Sequence, residues 1–178
     1  MQRRDFITAG ALAACGASLA GGAWAQSGYP ARPVRMVVPF PPGGPTDVMG
    51  RTAAKAMGER LGQQFVVENK AGAGGNIGTD FVAKAAPDGY TIGLAAISSL
   101  AIAPHLYASL PFNVEKDLLP ISLVGTTPCA LVIHPGAPFS DLAGMVAHAK
   151  ANPGRLSYAT SGIGTSNHLA AELLQSVA

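Results

Sequence analysis

Apolar residues follow two alternating spacings between residues 34 and 96. Residues 34–40 form a short run rich in valine, and residues 65–68 and 90–96 are two further extended runs. Between the first two runs, apolar residues recur at the spacing of one helix face, at Met49, Ala53, Ala56, Met57 and Leu61. A second helical stretch covers about residues 80–86. This order of strand, helix, strand, helix, strand predicts βαβ units and therefore an α/β fold with a parallel sheet.

The pattern changes after residue 104. Residues 121–125 and 129–135 are apolar runs that predict two strands with almost no loop between them. A helix follows, capped by Ser140 or Asp141 and ended by the sequence Asn-Pro-Gly at 152–154. Residues 156–160 predict another strand. We interpret residues 26–125 as a first lobe and residues 126–178 as the start of a second, incomplete lobe.

Each predicted strand of the first lobe ends in a loop rich in glycine, proline or serine. These loops read PFPPGGPTD at 39–47, AGAGGNIG at 71–78 and AISSLAIAP at 96–104. In an open parallel sheet, the carboxyl ends of the strands lie along one edge, where ligands bind. We expect Thr46 or Asp47 to cap the first helix. The stretch SGIGTSN at 161–167 repeats the arrangement in the second lobe.

The loops predict an anion site that needs no cationic side chain. None of the three first-lobe loops contains lysine or arginine. A helix N-terminus carries unpaired N–H groups and a partial positive charge, so it can hold an anion through its backbone. The expected guest is a carboxylate or similar small anion. The alternative is that the glycines only form tight turns.

Composition and the N-terminus restrict the class of protein. The 178 residues are 48% hydrophobic and carry a net charge of +2, which does not suggest a nucleic-acid surface or a basic membrane-binding patch. Arg3 and Arg4 precede an uncharged run that ends in Ala-Trp-Ala at 23–25, which predicts a twin-arginine-like signal peptide at residues 1–25, cleaved after Ala25, and export to the periplasm. The alternatives are an uncleaved membrane anchor and a lipoprotein modified at Cys15. After cleavage the one remaining cysteine is Cys129, so no intrachain disulfide is expected.

Four successive stretches resemble a known family. They are VRMVVPFPPGGPTD, ENKAGAGGNIGTDFVAKAAPDGYT, AIAPHLYASLPFNVEKDLLPISLVG and HAKANPGRLSYATSGIGTSNHLAAEL. In this order they are similar to the signatures of the Bug receptors, the extracytoplasmic solute-binding components of tripartite tricarboxylate transporters. The resemblance implies a two-lobe periplasmic binding protein fold, type II-like, whose second lobe is truncated here. It also implies a monomeric, non-enzymatic receptor that captures a small carboxylated solute and delivers it to membrane permease subunits.

The resemblance also implies which residues contact the ligand. From the first lobe these are Phe40, Pro41, Pro42, Gly43, Gly44, Gly74, Gly75, Asn76, Ser98 and Ser99. From the second lobe they are Ser161, Gly164, Thr165 and Ser166. Relatives commonly have Thr-His after the first serine and Asn before the proline, where this chain has Ser99-Leu100 and Ala103-Pro104. That difference bears on which carboxylate binds. Relatives are also about twice as long, so we expect an N-terminal half, with a non-functional fragment as the alternative.

Enzymatic alternatives lack the residues they require. A dinucleotide site needs G-x-G-x-x-G, but Ile77 stands where the third glycine would fall. A serine hydrolase elbow needs G-x-S-x-G, but Ser161 is flanked by Ala159 and Ile163. The four histidines share no metal-ligand spacing, so neither a metal nor a cofactor is expected. An α/β enzyme acting on a small anionic substrate stays as the weaker alternative. His168, two residues after Ser166, either steers the charge of the ligand or packs on the helix.

Overall fold

The computed structural model describes residues 28–178. Residues 32–178 form one compact unit, and residues 28–31 lie outside it. The predicted signal peptide, its alternatives and its cleavage after Ala25 lie outside the described residues. The strands are β1 Val34–Val38, β2 Phe65–Asn69 and β3 Thr91–Gly93. The helices are α1 Pro45–Leu61, α2 Asn76–Ala83, α3 Ala103–Leu106, α4 Val114–Asp117, α5 Leu142–Ala151 and α6 Ser166–Val177.

The sheet is three-stranded and parallel, in the order β2-β1-β3. The prediction of a parallel α/β fold is therefore confirmed. Met36 pairs with Val67 on one side and with Ile92 on the other, so β1 is the central strand. Helix α1 packs against β1 and β2, and α2 packs against β1 and β3.

The core of this unit is the central strand. Val34, Val37 and Val38 are fully buried, and Met36 is 3% exposed. Neighbouring residues of a strand point to opposite faces, so the burial of both Met36 and Val37 requires cover on both faces of the sheet. Burial of each such side chain contributes about 1.5–3 kcal/mol. The valine-rich run therefore fixes the position of β1 and of the loop that follows it.

Three boundaries differ from the predicted ones. Helix α1 begins at Pro45 with Gly44 as its N-cap, so neither Thr46 nor Asp47 caps it. Proline's fixed φ suits the first helical position, which places Asp47 inside the first turn. Helix α2 begins at Asn76 rather than near residue 80, and β3 is limited to Thr91–Gly93.

The strands predicted at 121–125, 129–135 and 156–160 are wrong. None of these segments forms a strand in the structure. A strand is defined by pairing, and no part of residues 28–178 pairs with them. Leu119, Ile121, Leu123 and Val132 are instead 80–88% exposed. Apolar composition alone therefore did not produce a sheet in this part of the chain.

Helices α5 and α6 agree with their predicted positions. Asp141 is the N-cap of α5, and its Oδ1 accepts a 2.7 Å hydrogen bond from the backbone N–H of Gly144. Helix α6 begins directly after the loop at 161–165. Within residues 28–178, every helix is too short or too polar to cross a bilayer.

Candidate functional site

The loops after β1 and β2 meet at Phe40 and Gly75. A β-carbon built on Gly75 would lie 3.3 Å from Cζ of Phe40, so the aromatic ring rests against bare backbone. Gly75 has a φ of 102°, in the left-handed region that favours glycine. The close approach and the backbone angle together explain why glycine occupies this position.

Gly74 is the point at which the remaining loops converge. Ser98, from the loop after β3, donates a 2.6 Å hydrogen bond to the carbonyl oxygen of Gly74. A β-carbon on Gly74 would lie 2.8 Å from the carbonyl oxygen of Ile163 and 3.9 Å from Cγ2 of Thr165. The loop at 161–165 therefore contacts the loop after β2 directly. We call this arrangement of the loops at 39–44, 71–75, 96–99 and 161–165 the loop rim.

Most hydroxyl groups of the loop rim already donate to other atoms of the chain. Besides Ser98, Ser99 Oγ donates to the carbonyl of Ala96 at 3.2 Å, and Thr165 Oγ1 donates to the carbonyl of Gly162 at 2.6 Å. Ser161 Oγ donates to Oδ1 of Asn167 at 3.1 Å. Each hydroxyl has one proton to donate. In this conformation these side chains hold the loops in shape.

The predicted residues differ in accessibility. Gly75, Asn76, Ser98, Ser99, Gly164 and Thr165 are buried, and Phe40, Gly44 and Gly74 are partly buried. The exposed members are Pro41, Pro42, Gly43, Ser161 and Ser166. A β-carbon on Gly164 would lie 2.9 Å from Cδ2 of Leu106, so this glycine packs against α3. The structure thus brings Phe40, Gly74, Gly75, Ser98 and Thr165 together and leaves the exposed residues at the margin.

Asn76 carries an unsatisfied polar atom beside the rim. Its side chain is 7% exposed, and its Oδ1 has no hydrogen-bond partner within the part of the chain that the structure describes. Buried polar atoms in folded proteins are almost always paired with protein or water. Asn76 is the first residue of α2, immediately after Gly75. Its Oδ1 is therefore a buried acceptor that no group of residues 28–178 satisfies.

The cations nearest the rim are already paired. Lys70 Nζ lies 2.7 Å from Oε1 of Glu68 and 4.2 Å from the centroid of the Phe81 ring. The hydrogen bond from Lys70 lowers the pKa of Glu68, with smaller contributions from the charges of Lys70 and Arg35. Arg51 Nε lies 2.9 Å from Oδ2 of Asp47. Anion binding at the rim would rest on backbone groups.

Asp47 joins the first loop to the end of β2. It is 3% exposed, and its Oδ2 accepts hydrogen bonds from Arg51 Nε and from the backbone N–H of Gly43, both at 2.9 Å. Its Oδ1 accepts one from Asn69 Nδ2 at 2.8 Å, and the same Nδ2 donates to the carbonyl of Phe40 at 3.0 Å. The hydrogen bond from Arg51 is the largest cause of a lowered pKa at Asp47, followed by those from Gly43 and Asn69.

Sequence reasoning missed this network. Asp47 was considered only as a helix cap, and neither Arg51 nor Asn69 was singled out. The spacing of four residues between Asp47 and Arg51 was a usable signal, because it predicts an ion pair along one helix face. The contribution of Asn69 depends on the register of β1 and β2, which pairs Val38 with Asn69.

Other candidate features lie apart from the rim or pack locally. Two open grooves lie elsewhere on the surface. One, of about 650 Å³, is lined by the C-terminal part of α1 and the start of β2. The other, of about 670 Å³, is lined by the amino ends of the strands. Neither is lined by a predicted site residue. His168 Nδ1 accepts from the backbone N–H of Gly164 at 3.4 Å, so this histidine packs against the loop. Residues 28–178 contain no group of three or more metal-ligating side chains.

Residues 49–178 match the sequence profile of the Tripartite tricarboxylate transporter family receptor. The chain belongs to this family. Protein BugT of Bordetella pertussis is 49% identical over 148 residues, which are 83% of this chain and 45% of BugT. The family consists of solute-binding receptors rather than enzymes. The matched residues 49–178 include the rim loops at 71–75, 96–99 and 161–165 and exclude the first loop at 39–44.

Solved structures agree with this assignment. Periplasmic binding protein BugD is 38% identical with a TM-score of 0.71, over 83% of this chain and 49% of BugD. R. palustris Rpa4515 with adipate is 33% identical with a TM-score of 0.79, and the match covers 83% of this chain and 49% of Rpa4515. MatC from Rhodopseudomonas palustris with bound malate is 33% identical with a TM-score of 0.77, and the match covers 83% of this chain and 50% of MatC. The chain therefore has the α/β fold of periplasmic binding proteins and spans about half the length of the relatives it matches.

Proposed function

We propose that the chain acts in a periplasmic receptor that captures a small carboxylated solute for a tripartite transporter. The observation that carries this proposal is the convergence of four loops on Gly74 and Gly75: Phe40 contacts Gly75, and Ser98, Ile163 and Thr165 contact Gly74. Residues 26–125 would supply the first lobe of the receptor, and residues 126–178 would begin the second. The loop at 161–165 would then close one side of the binding site.

The proposed ligand contacts combine backbone and side-chain groups. Phe40 and the backbone at 41–44 form one wall, and Gly74, Gly75 and Asn76 lie beside it. Ser98, Ser99, Ser161, Gly164, Thr165 and Ser166 complete the set. Backbone N–H groups at helix N-termini bind carboxylates without a lysine or arginine. The pairing of Lys70 with Glu68 and of Arg51 with Asp47 supports a mainly backbone-based site.

The ligand class follows from relatives that share the fold. Rpa4515 was solved with adipate and MatC with malate, and both compounds are dicarboxylates. We infer that this chain takes a small mono- or dicarboxylate.

The remaining features of the proposal follow from the family. The membrane permease subunits of a tripartite transporter would receive the solute, and the receptor would act as a monomer after its signal is cleaved behind Ala25. The alternative is that the exported chain is a lipoprotein, modified at Cys15. The function requires reversible binding and no catalytic nucleophile, base or cofactor.

A thermal unfolding series on the 178-residue chain tests the proposal. A ligand present at a hundred times its dissociation constant adds about 2.7 kcal/mol to the free energy of unfolding. We expect adipate, malate or a related acid to raise the midpoint, while adipamide, which has no charge, leaves it unchanged. A cooperative transition that none of the acids moves would contradict the proposal. The absence of any cooperative transition would instead favour the fragment alternative.

A further inference from the structure

Asp47 connects three parts of the molecule through two carboxylate oxygens. Oδ2 accepts from the Gly43 backbone inside the first loop and from Arg51 one helical turn later. Oδ1 accepts from Asn69 at the end of β2. Both oxygens are thus used within the protein, and the 4% exposure of the side chain leaves almost no surface for a ligand.

Asn69 closes the network from the opposite side. Its Nδ2 donates to Asp47 and to the carbonyl oxygen of Phe40, and its Oδ1 accepts from an Arg51 guanidinium nitrogen at 3.1 Å. The loop is therefore tied at both ends, at Phe40 and at Gly43. Gly43 has a φ of 84°. A glycine in an unrestrained chain can adopt many other backbone conformations. The hydrogen bonds of Asp47 and Asn69 favour the observed one.

We propose that Asp47 and Asn69 are positioning residues that hold residues 40–43 in the conformation that receives the ligand. The role rests on the proposed function, because it concerns the same loop. Neither side chain touches the ligand in this account. Arg51 neutralises the negative charge of Asp47, so that a buried carboxylate can lie behind an anion-binding loop without repelling the anion.

Hydrogen exchange at the Gly43 amide tests the role without any ligand. Asp47→Asn keeps the shape of the side chain but removes the charge and one acceptor oxygen. We expect Gly43 exchange, measured by NMR on the full chain, to accelerate about tenfold, and by more than exchange at the amides of β1. The matched control is Glu59→Gln, which breaks the Lys55–Glu59 pair on the exposed surface of the same helix. This control should leave the exchange rate of the Gly43 amide unchanged.

Binding measurements test the consequence. Using adipate and malate as probes, Asp47→Asn and Asn69→Ala should each weaken affinity about tenfold, and the double variant should lose little more, because both act through one network. Fully additive losses, or Gly43 exchange that is unchanged or rises equally throughout β1, would overturn the proposal. If Asp47→Asn does not fold, Gly43 exchange and probe affinity measured on Asn69→Ala decide the positioning role. If the unaltered chain binds neither probe, the proposed function fails, and the Gly43 exchange alone decides the positioning role.

Discussion

Ser98 donates a 2.6 Å hydrogen bond from its Oγ to the carbonyl oxygen of Gly74. This bond joins the loop after β3 to the loop after β2, and Ser98 is 5% exposed. A buried carbonyl that loses its donor costs about 1–3 kcal/mol. We therefore expect Ser98→Ala to lower the free energy of unfolding by about that amount, measured by urea denaturation. Ser176→Ala, which removes a bond on the exposed surface of α6, should change stability little. Equal effects of the two variants would contradict this role for Ser98.

Gly74→Ala should damage the rim more than a comparable substitution elsewhere. Gly74 and Gly62 have similar left-handed angles, φ 64° and 70°. Alanine in that conformation costs about 1–2 kcal/mol at either position. At Gly74 the new β-carbon would also lie 2.8 Å from the carbonyl oxygen of Ile163, whereas at Gly62 it meets nothing within 4 Å. Calorimetric titration with adipate and malate should show weakened binding for Gly74→Ala and unchanged affinity for Gly62→Ala. The reverse order would contradict the assignment of the rim.

Thr165→Val tests how the fourth loop is held. The Thr165 side chain is 4% exposed, and its hydroxyl donates to the carbonyl of Gly162. Valine keeps the shape but removes the side-chain hydrogen bond, while the carbonyl of Gly162 still accepts from the backbone N–H of Thr165 at 3.3 Å. We therefore expect a loss of about 0.5–1.5 kcal/mol in stability together with weaker carboxylate binding. Urea denaturation and calorimetry on the same sample measure the two effects. Unchanged affinity would remove Thr165 from the site.

Asp47 makes stability depend on pH in one direction. Its pKa in the folded chain lies well below the ordinary value of 3.8, because Arg51, Gly43 and Asn69 donate to the carboxylate. A depressed pKa contributes stability above the unfolded value, and that contribution is lost as pH falls toward the folded value. The gap in unfolding free energy between the native chain and Asp47→Asn should be constant from pH 7 to about 5 and should narrow below about pH 4. A gap that widens at low pH would contradict the structure.

Local patterns predicted the helices and the three strands up to residue 93 well and the later strands poorly. The run at 34–40 and the helical spacing of Met49, Ala53 and Leu61 predicted the order of elements, because period and burial are properties of the segment itself. The strands at 121–125, 129–135 and 156–160 were wrong because a strand requires a partner, which the segment cannot specify. An apolar run indicates a tendency to pair and nothing about whether a neighbour is in place.

For the candidate site, too, the sequence predicted the local features and missed the contacts between distant segments. Glycine loops after strands predicted where the rim lies, since parallel strands end at one edge. Contacts between the loops could not be predicted, because the approach of Gly74 to Ile163 depends on how distant segments fold against each other. The link from Asn69 to Phe40 likewise requires the register of β1 and β2.

The most direct test of the proposal that the rim binds a carboxylate is an NMR titration of the folded, isotope-labelled chain with adipate and malate. Binding at the rim predicts saturable shifts concentrated at the amides of Gly43, Gly74, Gly75 and Thr165. The amides of Gly58 and Gly62, which line the groove beside α1, serve as internal controls and should stay still. No saturable shift with either acid, or shifts confined to that groove, would contradict the account.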